Sequence, residues 1–262
     1  MGENLDSRIS AIKALIGDRQ LIYMGSRHAH WENTAEFNER ALRAGATDVC
    51  NGTNGTGTIP HALENIMAWK FSTDRAVVES LCAFDRHIDA WVPRIALVDY
   101  RNREIQDLTE CDLTGIVDGI RVDTCGENVM EGGWGACEAR VDKDGIWCED
   151  IKVPFEHAQY WFGTGVTISG VWKMHYNLPA NVKVILSSGF GKLEKVKAFV
   201  HAEEILEMKL FDGLGVGDVF GIVGYRMATM DITHVGEGFE SLKPCSKKGR
   251  VPIENPNLVR RI

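Results

Sequence analysis

The sequence predicts a single α/β domain over residues 1–262, built on a parallel sheet whose expected form is a TIM-like (β/α) barrel, irregular or incomplete. Three observations carry this. Short apolar runs alternate with stretches of helical periodicity, as they do where parallel strands are joined by crossover helices. Polar residues collect where the apolar runs end: Arg27, His28 and His30 after the first, Asp48 within the second, Asp99 after RIALV, Asp123 after GIRV, and Ser187, Ser188 and Gly189 after VKVIL. A barrel builds its site from loops at the carboxyl ends of its strands, and an open doubly wound sheet obeys a similar rule, so the pattern locates a site in either form. Third, 262 residues is a length that an α/β barrel spans as one domain.

Taken in order, residues 7–16 carry apolar side chains at 9, 12, 15 and 16, which is helical spacing. Residues 21–24 read as a short strand. A helix is expected over 33–44, capped by Asn33 or Thr34 and stopped by Gly45. Residues 48–50 end a strand. Pro60 suits the first turn of a helix running to about Lys70. Further helices are expected over 73–84 and 102–111, with strands at 94–98 and 119–122. VKVIL (182–186) is a strand, followed by a glycine turn and a helix over 193–206. Residues 210–216 read as a strand or strand pair. Residues 127–172 hold seven glycines and four of the seven tryptophans with weak periodicity, and read as an irregular insertion, helical at its end. The tail from Tyr225 is expected to form a strand pair and an extended terminus.

Composition narrows the function classes. The chain is 44% hydrophobic and 25% charged, values of a globular protein. A net charge of −8 argues against nucleic acid and anionic membranes as partners, though not against a small anionic ligand. No apolar run approaches the roughly 20 residues needed to span a bilayer, and the start MGENLDSRIS lacks a signal-peptide pattern. Seven scattered cysteines without a C-x-x-C read as reduced thiols of a cytoplasmic protein.

Four stretches could carry chemistry. In MGSRHAH (24–30), His28 and His30 face one way on extended chain and could hold a divalent metal, or could bond loop backbone or a ligand. In GTNGTGTIPHAL (52–63), backbone N–H groups and hydroxyls such as that of Thr58 suit an anion at a helix start. No lysine follows the glycines as a Walker loop requires. His61 in that first turn would be held neutral by the helix dipole. On IRVDT, Arg121 and Asp123 share one face and could grip a polyhydroxylated anion, or form a strand-end salt bridge. SSGFGK (187–192) and GLGVGD (213–218) read as glycine turns near strand ends, a setting that commonly holds phosphate.

Together these stretches resemble the barrel domain of the nicotinate phosphoribosyltransferase family. MGSRHAH is similar to the family's F-G-x-R-R-x-H, and GTIPHAL (57–63) to G-T-M-P-H-A-L. ALVD (96–99), RVDT (121–124), SGF (188–190) and GVGD (215–218) are similar to A-L-I-D, R-L-D-S, S-G-G and G-V-G-T, and SKKGR (246–250) to the basic tail. The matches keep one order from about residue 8 to 250.

The resemblance implies an enzyme that forms nicotinate mononucleotide and pyrophosphate from nicotinate and phosphoribosyl pyrophosphate, assisted by Mg²⁺ and, in many members, by ATP through a phosphohistidine. By resemblance, His61 is that histidine, Arg27 holds the pyridine carboxylate or a phosphate with His28 and His30 beside it, and Asp48 lies near the pyridine. Asp99, Arg121 and Asp123 address the ribose and the pyrophosphate–metal assembly, with Asp99 and Asp123 as the Mg²⁺ ligands. Thr58, Ser188, Gly189, Gly215 and Gly217 bind phosphate. A homo-oligomer is implied; this sequence does not match the family's amino-terminal domain, so the chain is read either as a member of the family as it stands or as one chain of a split enzyme whose other domain is a separate polypeptide. Met24, Phe190 and Asp218 stand where the family has phenylalanine, glycine and threonine. Two other readings are a non-catalytic homologue that binds a nucleotide or sugar phosphate, and a metal-dependent hydrolase using His28 and His30.

Overall fold

The computed structural model describes residues 2–25, 31–50, 61–109, 115–217 and 232–248. Helix α1 (Gly2–Ile16) places Leu5, Ile9, Ile12 and Ile16 on one buried stripe. It stops at Gly17, whose φ of +62° a residue with a Cβ adopts with difficulty. Strand β1 (Gln20–Tyr23), α2 (Thr34–Arg43), β2 (Asp48–Val49), α3 (His61–Lys70), α4 (Ala76–His87), β3 (Ile95–Leu97), α5 (Gln106–Thr109) and β4 (Gly119–Val122) follow. The 127–172 insertion holds β5 (Arg140–Asp142), β6 (Gly145–Cys148), β7 (Ile151–Val153), α6 (Ala158–Trp161) and α7 (Ile168–His175). The alternation resumes with β8 (Lys183–Leu186), α8 (Leu193–Leu206) and β9 (Gly213–Val216), and the tail adds β10 (His234–Val235) and β11 (Lys243–Pro244).

Six strands form one parallel sheet in the order β2-β1-β9-β8-β4-β3. Read as a ring, every strand lies beside its successor except β2 and β3, which do not pair among the described residues. The sheet is therefore a (β/α) barrel with one open seam, as the expected incomplete barrel requires. Side-chain alternation confirms which face is inside. Leu21 and Tyr23, Ala96 and Val98, Ile120 and Val122, Val184 and Leu186, and Leu214 and Val216 belong to the large core between sheet and helices. The intervening Ile22, Ile95 and Ile185 form a separate small cluster with Met24, the barrel interior.

Three expectations need correction in detail. The 73–84 helix opens as a 3-10 turn over Thr73–Arg75 before α4. The 102–111 helix starts later, at Gln106, because Asn102 is left-handed at φ 60° and the Glu131 carboxylate accepts from the backbone N–H of Ile105 (2.7 Å) and Gln106 (3.0 Å); residues 110 and 111 lie outside the described residues. The insertion is more regular than its periodicity implied: β5, β6 and β7 form an antiparallel sheet. The expected strand pair in the tail is β10 with β11. Among the described residues all six cysteines are free thiols, Cys111 lying outside them, and no helix is long and apolar enough to cross a membrane.

Candidate active site

Strand register assembles the site. Leu97, Arg121, Ile185, Gly213 and Gln20 stand side by side across the sheet. Two residues further along each strand, on the same inner face, come Asp99, Asp123, Ser187, Gly215 and Ile22, with Asp48 opposite Ile22. The polar members of this layer gather on the β3, β4 and β8 side. Arg121 pairs with Asp123 Oδ2 at 2.8 Å, and its Nε donates to the Ser187 hydroxyl at 3.0 Å. The Ser187 hydroxyl in turn donates to the Val122 carbonyl at 3.2 Å. The strand-end salt bridge and the ligand-gripping pair were alternatives in the sequence; the bridge forms, and Asp123 still keeps 27% of its side chain exposed.

The chain leaves β8 through two successive left-handed residues, Ser188 (φ 70°) and Gly189 (φ 84°). No hydrogen bond among the described residues claims the N–H groups of Gly189, Phe190 or Gly191, which precede the start of α8. Such amides form an anion-binding concavity. Lys195, in the first turn of α8, is buried and donates to the Ser188 carbonyl at 2.9 Å. Its ammonium also lies over the Phe190 ring, 4.5 Å from the centroid. Burial, with repulsion from Lys192, pulls the Lys195 amine down to about 8, while the Asp123 carboxylate acts in the opposite sense. The Phe190 side chain is in the core, edge-on to Phe199 at 5.0 Å between centroids.

Asp99 is fully buried, and Lys247 of the tail forms an ion pair with its Oδ2. The Lys247 ammonium also donates to the backbone carbonyl of Asp123 at 3.3 Å. Among the described residues Asp99 Oδ1 has no hydrogen-bond partner. As a direct Mg²⁺ ligand Asp99 does not fit, since an ammonium covers it. Asp123 does fit, because Arg121 engages only one of its oxygens and the side chain reaches solvent.

Other expected site residues stand apart from this cluster. Asp48 is held by Gln20 Nε2 (2.8 Å) and the Thr47 hydroxyl (2.9 Å) on the inner face of β2. Gly213 to Val216 of GLGVGD is β9 itself rather than a turn, and Gly215 lies beneath Met24, whose Cε would stand 2.7 Å from a Cβ at that position. Gly215 thus makes room for a side chain rather than offering a phosphate-binding turn. Gly217 follows the strand and is half-buried. His61 is the first residue of α3. Arg27, His28, His30, Thr58 and Asp218 lie outside the described residues. Among the described residues no cluster of potential metal ligands forms.

Sequence reasoning missed Lys195 and Lys247. Lys195 left one trace: a cation in the first turn of a helix opposes the dipole, which favours anions there. For Lys247 the basic run SKKGR was visible, but not which of its residues enters the core.

No protein-family model and no curated protein matches the sequence. Solved structures do match. A nicotinate-nucleotide pyrophosphorylase from Pyrococcus furiosus is similar at a TM-score of 0.53 and 21% identity, over 95% of this chain and 53% of that one. A nicotinate phosphoribosyltransferase from Porphyromonas gingivalis is similar at 0.60 and 12%, over 95% of this chain and 59% of that one. This chain spans little more than half the length of either. The fold, an open-seamed α/β barrel, is therefore one that this chain shares with part of two enzymes of nicotinate nucleotide chemistry.

Proposed function

We propose that the chain is a phosphoribosyltransferase acting on a pyridine carboxylate, forming nicotinate mononucleotide and pyrophosphate from nicotinate and phosphoribosyl pyrophosphate in NAD biosynthesis or salvage. The observation that carries this is the convergence of Arg121, Asp123 and Ser187 with the left-handed Ser188–Gly189 turn and Lys195 at the carboxyl ends of adjacent strands. Cations, free amides and one exposed carboxylate lie side by side, as a phosphorylated sugar needs. The fold shared with the two solved structures supports the same reading.

In the reaction the pyridine nitrogen forms a bond to the anomeric carbon as the bond from that carbon to pyrophosphate breaks, its electron pair leaving with the phosphate oxygen. Positive charge builds on the sugar and negative charge on the leaving group, so positioning and electrostatics supply the rate. Asp123 is assigned to the sugar side. Arg121 orients Asp123 and adds positive charge toward the phosphates. Lys195 and the Gly189–Gly191 amides are assigned to the 5-phosphate. Bound Mg²⁺, held by Asp123, would supply further neutralisation of pyrophosphate. Arg27, with His28 and His30, is assigned to the pyridine carboxylate, Thr58 to a phosphate, and His61 to phosphoryl transfer where ATP is used.

Because this chain spans 53% and 59% of the two solved structures, we propose that a further segment completes the pyridine site. Phe155 and Val141 of the insertion are exposed and offer contact area for a homo-oligomer in the cytoplasm. The test is incubation with nicotinate, phosphoribosyl pyrophosphate and Mg²⁺, followed by chromatography for the mononucleotide, repeated with other pyridine and purine bases. Product absent with every base, while phosphoribosyl pyrophosphate still binds, would favour the binding-only homologue.

A further inference from the structure

The last described residues of the chain form a strap over the ends of β3 and β4. The Cys245 N–H donates to the Thr233 carbonyl at 2.9 Å, and its thiol to the Asn65 carbonyl of α3 at 3.2 Å. Asn65 Oδ1 accepts the Tyr100 hydroxyl at 2.7 Å, next in sequence to Asp99. The Lys248 N–H donates to the Tyr100 carbonyl at 2.9 Å, and the Lys248 carbonyl accepts from Asn128 at 3.1 Å. Residues 245–248 thus cross the ends of β3 and β4 and fasten both to α3. At the centre stands Lys247, nearly buried, with its ammonium on Asp99 Oδ2 and on the Asp123 carbonyl.

A carboxylate with no solvent exposure stays ionised only where a cation and hydrogen bonds compensate its lost hydration. For Asp99 the tail provides the cation, on Oδ2. A surface pair would add almost nothing; here both partners are buried, so losing either leaves a charge stranded inside the protein.

We propose that Lys247 is a positioning residue of the site: its ammonium holds the ionised Asp99 carboxylate at the mouth of the barrel, and through that pair the 245–248 strap becomes a condition for site assembly. Lys247 acts through Asp99 and the Asp123 backbone, and not by touching substrate phosphate, because its ammonium is already engaged and covered. The catalytic part of the proposal rests on the phosphoribosyltransferase reading; the coupling between strap and carboxylate does not.

The test uses the full chain and its Lys247→Met, Lys247→Arg, Asp99→Asn and Asp99→Asn/Lys247→Met variants. In hydrogen exchange, Lys247→Met and Asp99→Asn should each lose protection at the Cys245 and Lys248 amides on the order of 100-fold, with β8 and β9 amides unchanged. The double variant, which buries no unpaired charge, should recover most of that loss. In turnover with nicotinate and phosphoribosyl pyrophosphate, Lys247→Met should lower kcat with KM for phosphoribosyl pyrophosphate unchanged, and Lys247→Arg should restore part of kcat. Unchanged exchange in Lys247→Met, or a double variant no better than the singles, overturns the coupling. A rise in KM alone overturns the positioning role in favour of direct phosphate contact. Absence of turnover in the unaltered protein defeats the phosphoribosyltransferase reading and the catalytic part with it, while the exchange result still decides the coupling.

Discussion

Arg121 and Asp123, two residues apart on β4, close a 2.8 Å ion pair, and the same guanidinium reaches across to β8 for the Ser187 hydroxyl at 3.0 Å. One side chain therefore joins two strands and fixes one carboxylate. Arg121→Met should destabilise the fold by about 2 kcal/mol, less than a fully buried pair because Asp123 reaches solvent. Asp123→Asn should cost less, since Arg121 keeps Ser187. Urea unfolding midpoints check both, and equal losses would contradict this ordering.

Lys195 gives a pH signature. Its folded-state amine titrates near 8 against an ordinary 10.5. Between those values the unfolded chain holds the proton and the folded chain does not, so Lys195 makes stability rise with pH across that window. Below about pH 8 the charged amine exacts the full penalty, roughly 3 kcal/mol. Lys195→Met should flatten the rise between pH 8 and 10.5. Inorganic phosphate at the Gly189–Gly191 amides should move the amine back toward 10, as read by NMR of labelled lysine methylenes.

Phe190 separates resemblance from structure. By motif it stands where the family has a glycine; in the fold its ring fills the core against Phe199. Phe190→Ala should cost about 3–5 kcal/mol, as large-to-small core changes do. Phe190→Gly should cost at least as much and add no phosphate affinity. Thermal unfolding and phosphate titration of the two variants are the measurement.

Met24 and Gly215 fit one another across β1 and β9. A Cβ at 215 would crowd the Met24 thioether, and Ser187 Cβ would stand at 3.2 Å. The thioether can swing aside, so Gly215→Ala should cost only about 1 kcal/mol. It should visibly shift the Met24 methyl resonance, whereas Gly217→Ala should leave that resonance in place.

The thiols report on the insertion. Burial pushes the Cys148 thiol up to about 12, whereas Cys137 is exposed. Iodoacetamide at pH 8 should label Cys137 in the native protein and Cys148 only after unfolding, as mass spectrometry of the digests will show.

Strand ends were legible because period-2 alternation and the rule of carboxyl-end loops both act locally. Asp99, Arg121, Asp123 and the Ser188–Gly189 turn could be named from chain position alone. Lys247 could not, because its pairing with Asp99 spans 148 residues and depends on how the tail lies. Gly215 was misread for the converse reason: glycine at a strand end signals a turn or a close approach, and only the neighbouring strand's Met24 decides between them. The β5–β7 sheet was hidden by its brevity, since strands of three or four residues hardly establish a period.

The gap between β2 and β3 bears on what the barrel can admit. A closed barrel has its girth fixed by strand number and stagger. Here that arithmetic does not bind: among the described residues, the two edge strands can part without breaking a ladder bond between them. The β2 flank can therefore shift at the seam without disturbing the β4–β8 ladder that Arg121 and Ser187 bridge.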